Sequence, residues 1–290
     1  MQPIRFLLTA LLLLAGLFAA PTTVRAAQSY DNCTAFIDTL PASISTQGTW
    51  CLRHDVTTAI TSGNAITINT NNVTIDCNDF KIGGLQAGVG TAAIGVYAMD
   101  RLNATVRNCG IRGFYYGIEL AGSAGGGHLI EDNRLDANTY VAIFVAGDGS
   151  VVQRNRLSTT GGSTISPGLA YGINSSNGVD FLYNSVDGVA PAANLAGNGS
   201  AYGIYTLSNL NGSFIGNRIR RLGQVGTGLG YGIRNAFSGR VSLERNHVIG
   251  LGDYGLSCGD AAGSAKDNIV NGFTTPLINC TNDGGNVYKL

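Results

Sequence analysis

Two short words alternate along most of this chain, and few architectures accommodate them. The first word is an aromatic residue, a glycine and an aliphatic. It appears as Tyr116-Gly117-Ile118, Tyr171-Gly172-Ile173, Tyr202-Gly203-Ile204, Tyr231-Gly232-Ile233 and Tyr254-Gly255-Leu256. Degenerate copies are Ile94-Gly95-Val96, Val141-Ala142-Ile143 and Pro276-Leu277-Ile278. The second word sets an Asn between two aliphatic positions, as in Ile130-Glu131-Asp132-Asn133-Arg134-Leu135. It recurs around Asn155, Asn184, Asn217, Asn246 and Asn268, with Asn78 and Cys109 in the same slot of two earlier copies. Stacked helices would need continuous stripes of period 3.6, and none is present. Each unit instead holds three short apolar stretches; from Tyr231 they are Tyr231 to Asn235, Val241 to Leu243 and Val248 to Leu251. Three short strands per turn, each turn stacked on the next, make a parallel β-helix.

The expected fold is therefore all-β: a single right-handed parallel β-helix of about eight coils and three short parallel sheets, since parallel crossovers are nearly always right-handed. The two words resemble the repeat of the pectin-lyase-like right-handed β-helix superfamily over roughly residues 60 to 280. Asn64-Ala65-Ile66-Thr67-Ile68 with Asn72-Val73-Thr74-Ile75-Asp76 is similar to the opening coil of secreted bacterial members. The resemblance implies a fold and leaves function open, because that superfamily holds lyases, hydrolases, epimerases, adhesins and binding proteins.

Residues 1–26 read as a secretory signal: one basic residue, the apolar run Phe6 to Ala20, then Val24-Arg25-Ala26 before the cleavage point. Residues 27–59 would form an N-terminal cap and first strand, with a short helix over Thr34 to Leu40. Residues 60–290 would form the β-helix, its tail after Cys280 shielding the far end. Export to a secreted or periplasmic location suits six cysteines paired as three disulfides. Cys258 and Cys280 each sit two residues after the aliphatic of the first word, one turn apart. Cys77 and Cys109 are offset by one position in adjacent coils. Cys33 and Cys51 remain to staple the cap. Buried free thiols are the alternative.

In this reading the Asn column sits at a sharp corner, where Asn tolerates a left-handed backbone and its amides can bond along the stack. The outward position after each first word gives a second column: Tyr97, Glu119, Phe144, Asn174, Tyr205, Arg234, Ser257 and Asn279. The preceding outward position, two residues earlier, is mostly Gly and would keep that surface open. The repeated Tyr of the first word would share the facing of the inward aliphatic and stack as a ladder. Long insertions at Ser158 to Ala170, Asp187 to Ala201 and Arg220 to Gly230 all precede the first word, and insertions on one side of a solenoid mark a binding face. A third column, Asp76, Arg107, Glu131, Gln153, Glu244 and Lys266, alternates in sign as a solvated face does.

Tyr97, Glu119, Phe144, Asn174, Tyr205 and Arg234 are thus the candidate ligand-binding residues. Aromatic faces can pack on sugar rings while amide, carboxylate and guanidinium bond hydroxyls, so a polysaccharide or cell-surface glycan is the expected partner. Ordinary packing of aromatics on a sheet is the alternative. No catalytic set emerges. Glycoside hydrolysis normally needs two carboxyls roughly 5 to 9.5 Å apart, and Glu119 stands alone on its column. Arg234 lies five coils away; Asp253 and Asp260 are possible helpers whose facing is unreadable. The resemblance alone keeps a polysaccharide lyase, with Ca2+, or another carbohydrate-active enzyme such as a glycoside hydrolase as an alternative; an adhesin-like surface module is a further one. No other cofactor is expected: His54, His128 and His247 are scattered without zinc-ligand spacing. A chain of 18 basic and 18 acidic residues carries no basic nucleic-acid footprint. After signal cleavage nothing remains to hold it in a membrane.

Overall fold

The computed structural model describes residues 30–207, 211–237, 239–259 and 263–289. The expected signal segment and Asp260 lie outside the described residues. The architecture below is that of the unit Asn32–Leu290.

It is a parallel β-helix. Strands in each turn follow the order first, middle, third, and each pairs in parallel with its counterpart in the next turn. The middle strands form one eleven-stranded sheet. First and third strands join at their shared corner into a second network of eighteen, because His247–Ser257 and Ile269–Ile278 each run through that corner without a break. The file of first strands runs from Ala42–Ile44, paired with Asn64–Ile68, up to Ile269–Ile278. It therefore starts earlier than the recurring words, whose count suggested about eight coils. The earliest rungs lack the aromatic-Gly word, which is why counting words undercounts turns.

The N-terminal segment pairs onto the first rung of this ladder as a strand. Thr34 to Leu40 is not a helix: Ala35–Phe36 is a strand, paired with Trp50 and Cys51. Those pairings bond one side of its backbone, and the Cys33–Cys51 disulfide ties it to the neighbouring strand. The far end behaves alike. Cys280–Asn282 pairs with Gly263–Ala265, and Val287–Lys289 with Ile269–Asn271, so the tail adds a last strand to two sheets.

One continuous apolar interior runs through the stack, from Ile37 to Phe273. Its first-strand file is Ile66, Val96, Ile118, Ile143, Ile173, Ile204, Ile233 and Leu256, each in register with the next. On the middle strands Phe181 stacks on Phe214, 4.8 Å between centroids. Cys77–Cys109 and Cys258–Cys280 close with Cα–Cα distances of 4.7 and 5.1 Å, both within ordinary disulfide reach. Each joins residues one position out of register on adjacent rungs.

From Asn133 onward the asparagines form a buried ladder at the corner between middle and third strands, and unlike Asn78, at φ 48°, they do not adopt the left-handed backbone. Positive φ falls one residue earlier, at Asp132, Arg154, Tyr183, Gly216, Arg245 and Asp267. That frees each Asn for bonding. The Asn184 side-chain oxygen accepts from the backbone N–H and the amide of Asn155, at 3.1 and 3.0 Å. Its own amide donates to Asn217 and to the Val152 carbonyl. The pattern repeats from Asn133 to Asn286, which the second word did not reveal. Stacked in this way, every amide meets polar partners in a site from which water is excluded.

Candidate functional site

The first-strand column is assembled as a continuous file. Tyr97, Glu119, Phe144, Asn174, Tyr205, Arg234 and Ser257 stand opposite one another on successive rungs. Its last expected member is replaced: Ile278, not Asn279, opposes Ser257. The final turn is shifted by one residue, with Leu277 rather than Ile278 beside Leu256. Asn279 instead turns with φ 55° and donates to the Gly259 carbonyl.

The tyrosines of the first word do stack. Tyr171, Tyr202, Tyr231 and Tyr254 follow one another at centroid distances of 4.8, 5.3 and 4.7 Å. They do not face the interior. They form an apolar cluster of their own with Val141, against which Tyr116, Phe144 and Tyr205 pack. The glycine between aromatic and aliphatic accounts for the difference. A Cβ at Gly172, Gly203, Gly232 or Gly255 would collide with Val186, Ile219, Val248 or Val270, the inward aliphatic of the same turn's third strand. Glycine and the following aliphatic thus both face inward, and the aromatic before them is turned out. The glycines serve close packing across the corner; they do not open the outer surface as expected.

The outer face of the first strands is consequently two aromatic files wide. Tyr205 lies 5.4 Å from Tyr171 and 5.1 Å from Tyr202. The Arg234 guanidinium sits 4.4 Å above the Tyr231 ring and 5.8 Å from that of Tyr205. The column residues from Tyr97 to Arg234 are half-buried, and Ser257 is buried. Glu119 has no hydrogen-bond or ion-pair partner among the described residues, and burial holds its carboxyl above the usual carboxylate range. Burial likewise pushes the Tyr97 phenol up, with the charges of Glu119 and Asp100 adding to it. Glu119 and Arg234 are four rungs apart rather than five, about 19 Å at the usual strand spacing. Asp253 accepts a 2.8 Å bond from the Gly230 backbone and so braces a loop.

The insertions stack on one another. Gly168 donates to the Ala192 carbonyl, Gly199 bridges Val225, and Thr227 donates to the Asn198 side chain. Tyr115 and Ser166 share a 2.5 Å hydrogen bond, tying the first insertion to the aromatic files.

On the middle strands the alternating column pairs as expected at one end: Arg107 bonds Asp76 at 2.8 Å and Gln153 bonds Glu131 at 2.9 Å. Glu244 stands in register with Lys266 but accepts from Ser242. His128 is buried. Its Nδ1 accepts from the Ala104 backbone at 3.2 Å, and its Nε2 has no partner. Among the described residues no three His, Cys, Asp or Glu side chains gather as they would around a metal ion.

Two hollows on the third-strand face were not foreseen. One, of about 480 Å³, is lined by Arg134, Asp136, Arg156, Ser158, Asp187 and Arg220 among others. Its neighbour, of about 540 Å³, lies toward the Asn ladder and is lined by Arg134, Arg154, Arg156, Tyr183, Ser185 and Arg218 among others. Arg134, Arg156 and Arg218 each hold the slot directly after the Asn of the second word, a recurrence that the sequence carries.

No protein-family model and no curated protein matches the chain. Among solved structures, the crystal structure of Dettilon tailspike protein (gp208) is similar, at 15% identity and a TM-score of 0.44, over 87% of this chain and 56% of that one. The chain thus spans little more than half the length of that protein. Among the described residues no helix is long and apolar enough to cross a membrane.

Proposed function

We propose that the protein is exported and binds a polysaccharide along the outer face of its first strands. The observation that carries this reading is the double aromatic file: Tyr97, Phe144 and Tyr205 half-buried beside a tyrosine ladder, with Asn174 and Arg234 interleaved. Rungs recur at about 4.8 Å, close to the length of one sugar in an extended chain. Successive rings could therefore pack on successive rungs while amide and guanidinium bond their hydroxyls. The stacked insertions would form one wall of the groove. Three disulfides among the described residues suit an oxidising, extracytoplasmic setting.

Calorimetric titration against a panel of glycans tests this with Tyr97→Ala, Phe144→Ala and Tyr205→Ala combined. Loss of binding to a glycan that the parent recognises is the expected result. A variant that keeps every one of the parent's affinities would remove this face from consideration. A lyase or hydrolase is the second reading, motivated by the unpaired Glu119 carboxyl. It predicts turnover of a bound polymer that stops in Glu119→Gln while binding persists.

A further inference from the structure

The third-strand face carries a charge arrangement that the fold does not require. Arg134 and Arg156 stand directly opposite each other on adjacent rungs. Like charges in that position repel and destabilise a sheet. The next rung presents Ser185, and the one after it Arg218. All three arginines are exposed, and none has an ion-pair partner among the described residues. The carboxylates around them are mostly engaged elsewhere. Asp136 pairs with Arg112 at 2.8 Å, Asp132 with Arg154 at 2.8 Å, and Asp187 with Arg220 at 2.7 Å and with Arg221. Asp79, at the margin, is the one lining carboxylate without such a pair.

The small Ser185 side chain leaves a gap between Arg156 and Arg218, and both hollows open there. Beside the gap stands Tyr183, 58% exposed, an uncovered aromatic in a cleft otherwise lined by polar groups. Beneath it lies the Asn ladder, whose buried bonds keep the corner rigid. Each guanidinium is a planar donor suited to a carboxylate or sulfate.

We infer that this face binds an acidic oligosaccharide, its carboxylate or sulfate groups held by Arg134, Arg156 and Arg218 and one ring resting on Tyr183 over Ser185. The arginines follow one file, so the ligand runs along the helix axis. Interleaved aspartates would repel the denser charge of a nucleic-acid backbone and favour an anion at every sugar or every second one. This site is one corner away from the aromatic column and does not depend on it.

The test is titration of the mature protein with a hexameric oligogalacturonate, a sulfated hexasaccharide, an uncharged hexasaccharide and a single-stranded oligonucleotide. At least one acidic hexamer should bind, more tightly at low salt, and which one binds identifies the anionic group. Combined Arg134→Gln, Arg156→Gln and Arg218→Gln should weaken it at least about tenfold, the effect of losing one charge-assisted hydrogen bond. Ser185→Glu, which fills the gap with a negative charge, should do the same in a chain that keeps its arginines, and so decides the matter should the triple variant misfold. The aromatic triple variant should bind the acidic hexamer unchanged. Four results would overturn the inference: neither acidic hexamer binding, affinity indifferent to the arginine and serine changes, equal loss in the aromatic variant, or the oligonucleotide binding as tightly as the hexamers.

Discussion

The first-strand and third-strand faces are built from the same turns of chain and share one network of strands, yet they solve opposite problems. On the first-strand face, large rings stand on each rung from Tyr97 to Tyr254 and largely cover one another. Tyr171, Tyr202 and Tyr231 keep only 8–9% of their surface exposed. The third-strand face leaves Arg134, Arg156 and Arg218 exposed around a hollow where Ser185 is too small to fill its rung. A repeated large residue in a solenoid stacks on its own copies and gains area and ring contacts from doing so. A recognition hollow needs the reverse, an interruption of the file. The two faces therefore differ in how each can be disturbed: one through packing, the other through charge.

The largest disturbance should come from the corner that supports the arginine face. Asn184 is almost fully buried and bonds Asn155, Asn217 and the Val152 carbonyl. Asn184→Ala strands several buried donors and acceptors, each costing about 1–3 kcal/mol. We expect a total loss of about 3–5 kcal/mol in urea unfolding. The same change should weaken binding of the acidic hexamer, because Asn155 and Ser185 line that hollow. Binding on the aromatic face should be spared. Equal loss on both faces would show that they are not separable.

The architecture was legible in the sequence because its two words report two physical requirements that every turn repeats. The Asn word reports a buried ladder, and the glycine reports the crowding against Val186, Ile219, Val248 and Val270. Facing was read less well. Alternation assigned the tyrosines to the interior, but two consecutive inward positions at the glycine corner shift the parity, and Tyr171 to Tyr254 emerge outside. The one-residue shift that exchanged Asn279 for Ile278 arises in the same way, from an irregular pairing between Ile249 and Gly252 that no word marks. The arginine hollow was harder to read because the slot after each ladder Asn varies: it holds Arg134, Arg156 and Arg218 but also Ser185, His247 and Ile269, and only the register shows that the arginines flank the small Ser185.

Acid should distinguish the corners as well. His128 precedes the middle strand Leu129–Glu131, at the corner after the first strand, whereas the Asn ladder contains no titrating group. Burial pulls the His128 imidazole down from 6.5 to about 4. The unfolded chain therefore binds a proton that the folded chain refuses. Stability is intact above pH 6.5 and falls as pH drops toward 4, by up to about 3 kcal/mol. His128→Gln, which keeps an acceptor for the Ala104 amide, should flatten that slope. Hydrogen exchange near pH 5 should show Ala104 and Leu129 losing protection before Asn155 and Asn184. Simultaneous loss at both corners would mean that the helix opens as one unit.

The smallest effect concerns Glu119, and it bears most directly on which face takes an acidic ligand. Its carboxyl is held above the ordinary value of 4.5 by burial and has no partner to offset its charge. A raised folded value means that its contribution to stability is present below pH 4.5 and is lost as pH rises through the folded value. Glu119→Gln should therefore stabilise the protein at pH 7 by about 0.5 kcal/mol and leave it unchanged at pH 4, as thermal melts at the two pH values would show. Its neighbours are the aromatic rings of Tyr97 and Phe144, so an anionic sugar seated there would meet an unneutralised negative charge. Removing that charge should leave the affinity for the acidic hexamer untouched, because the arginines hold it one corner away. A marked gain of affinity in Glu119→Gln would instead place the anion on the aromatic column, and the division of labour between the two faces would fail.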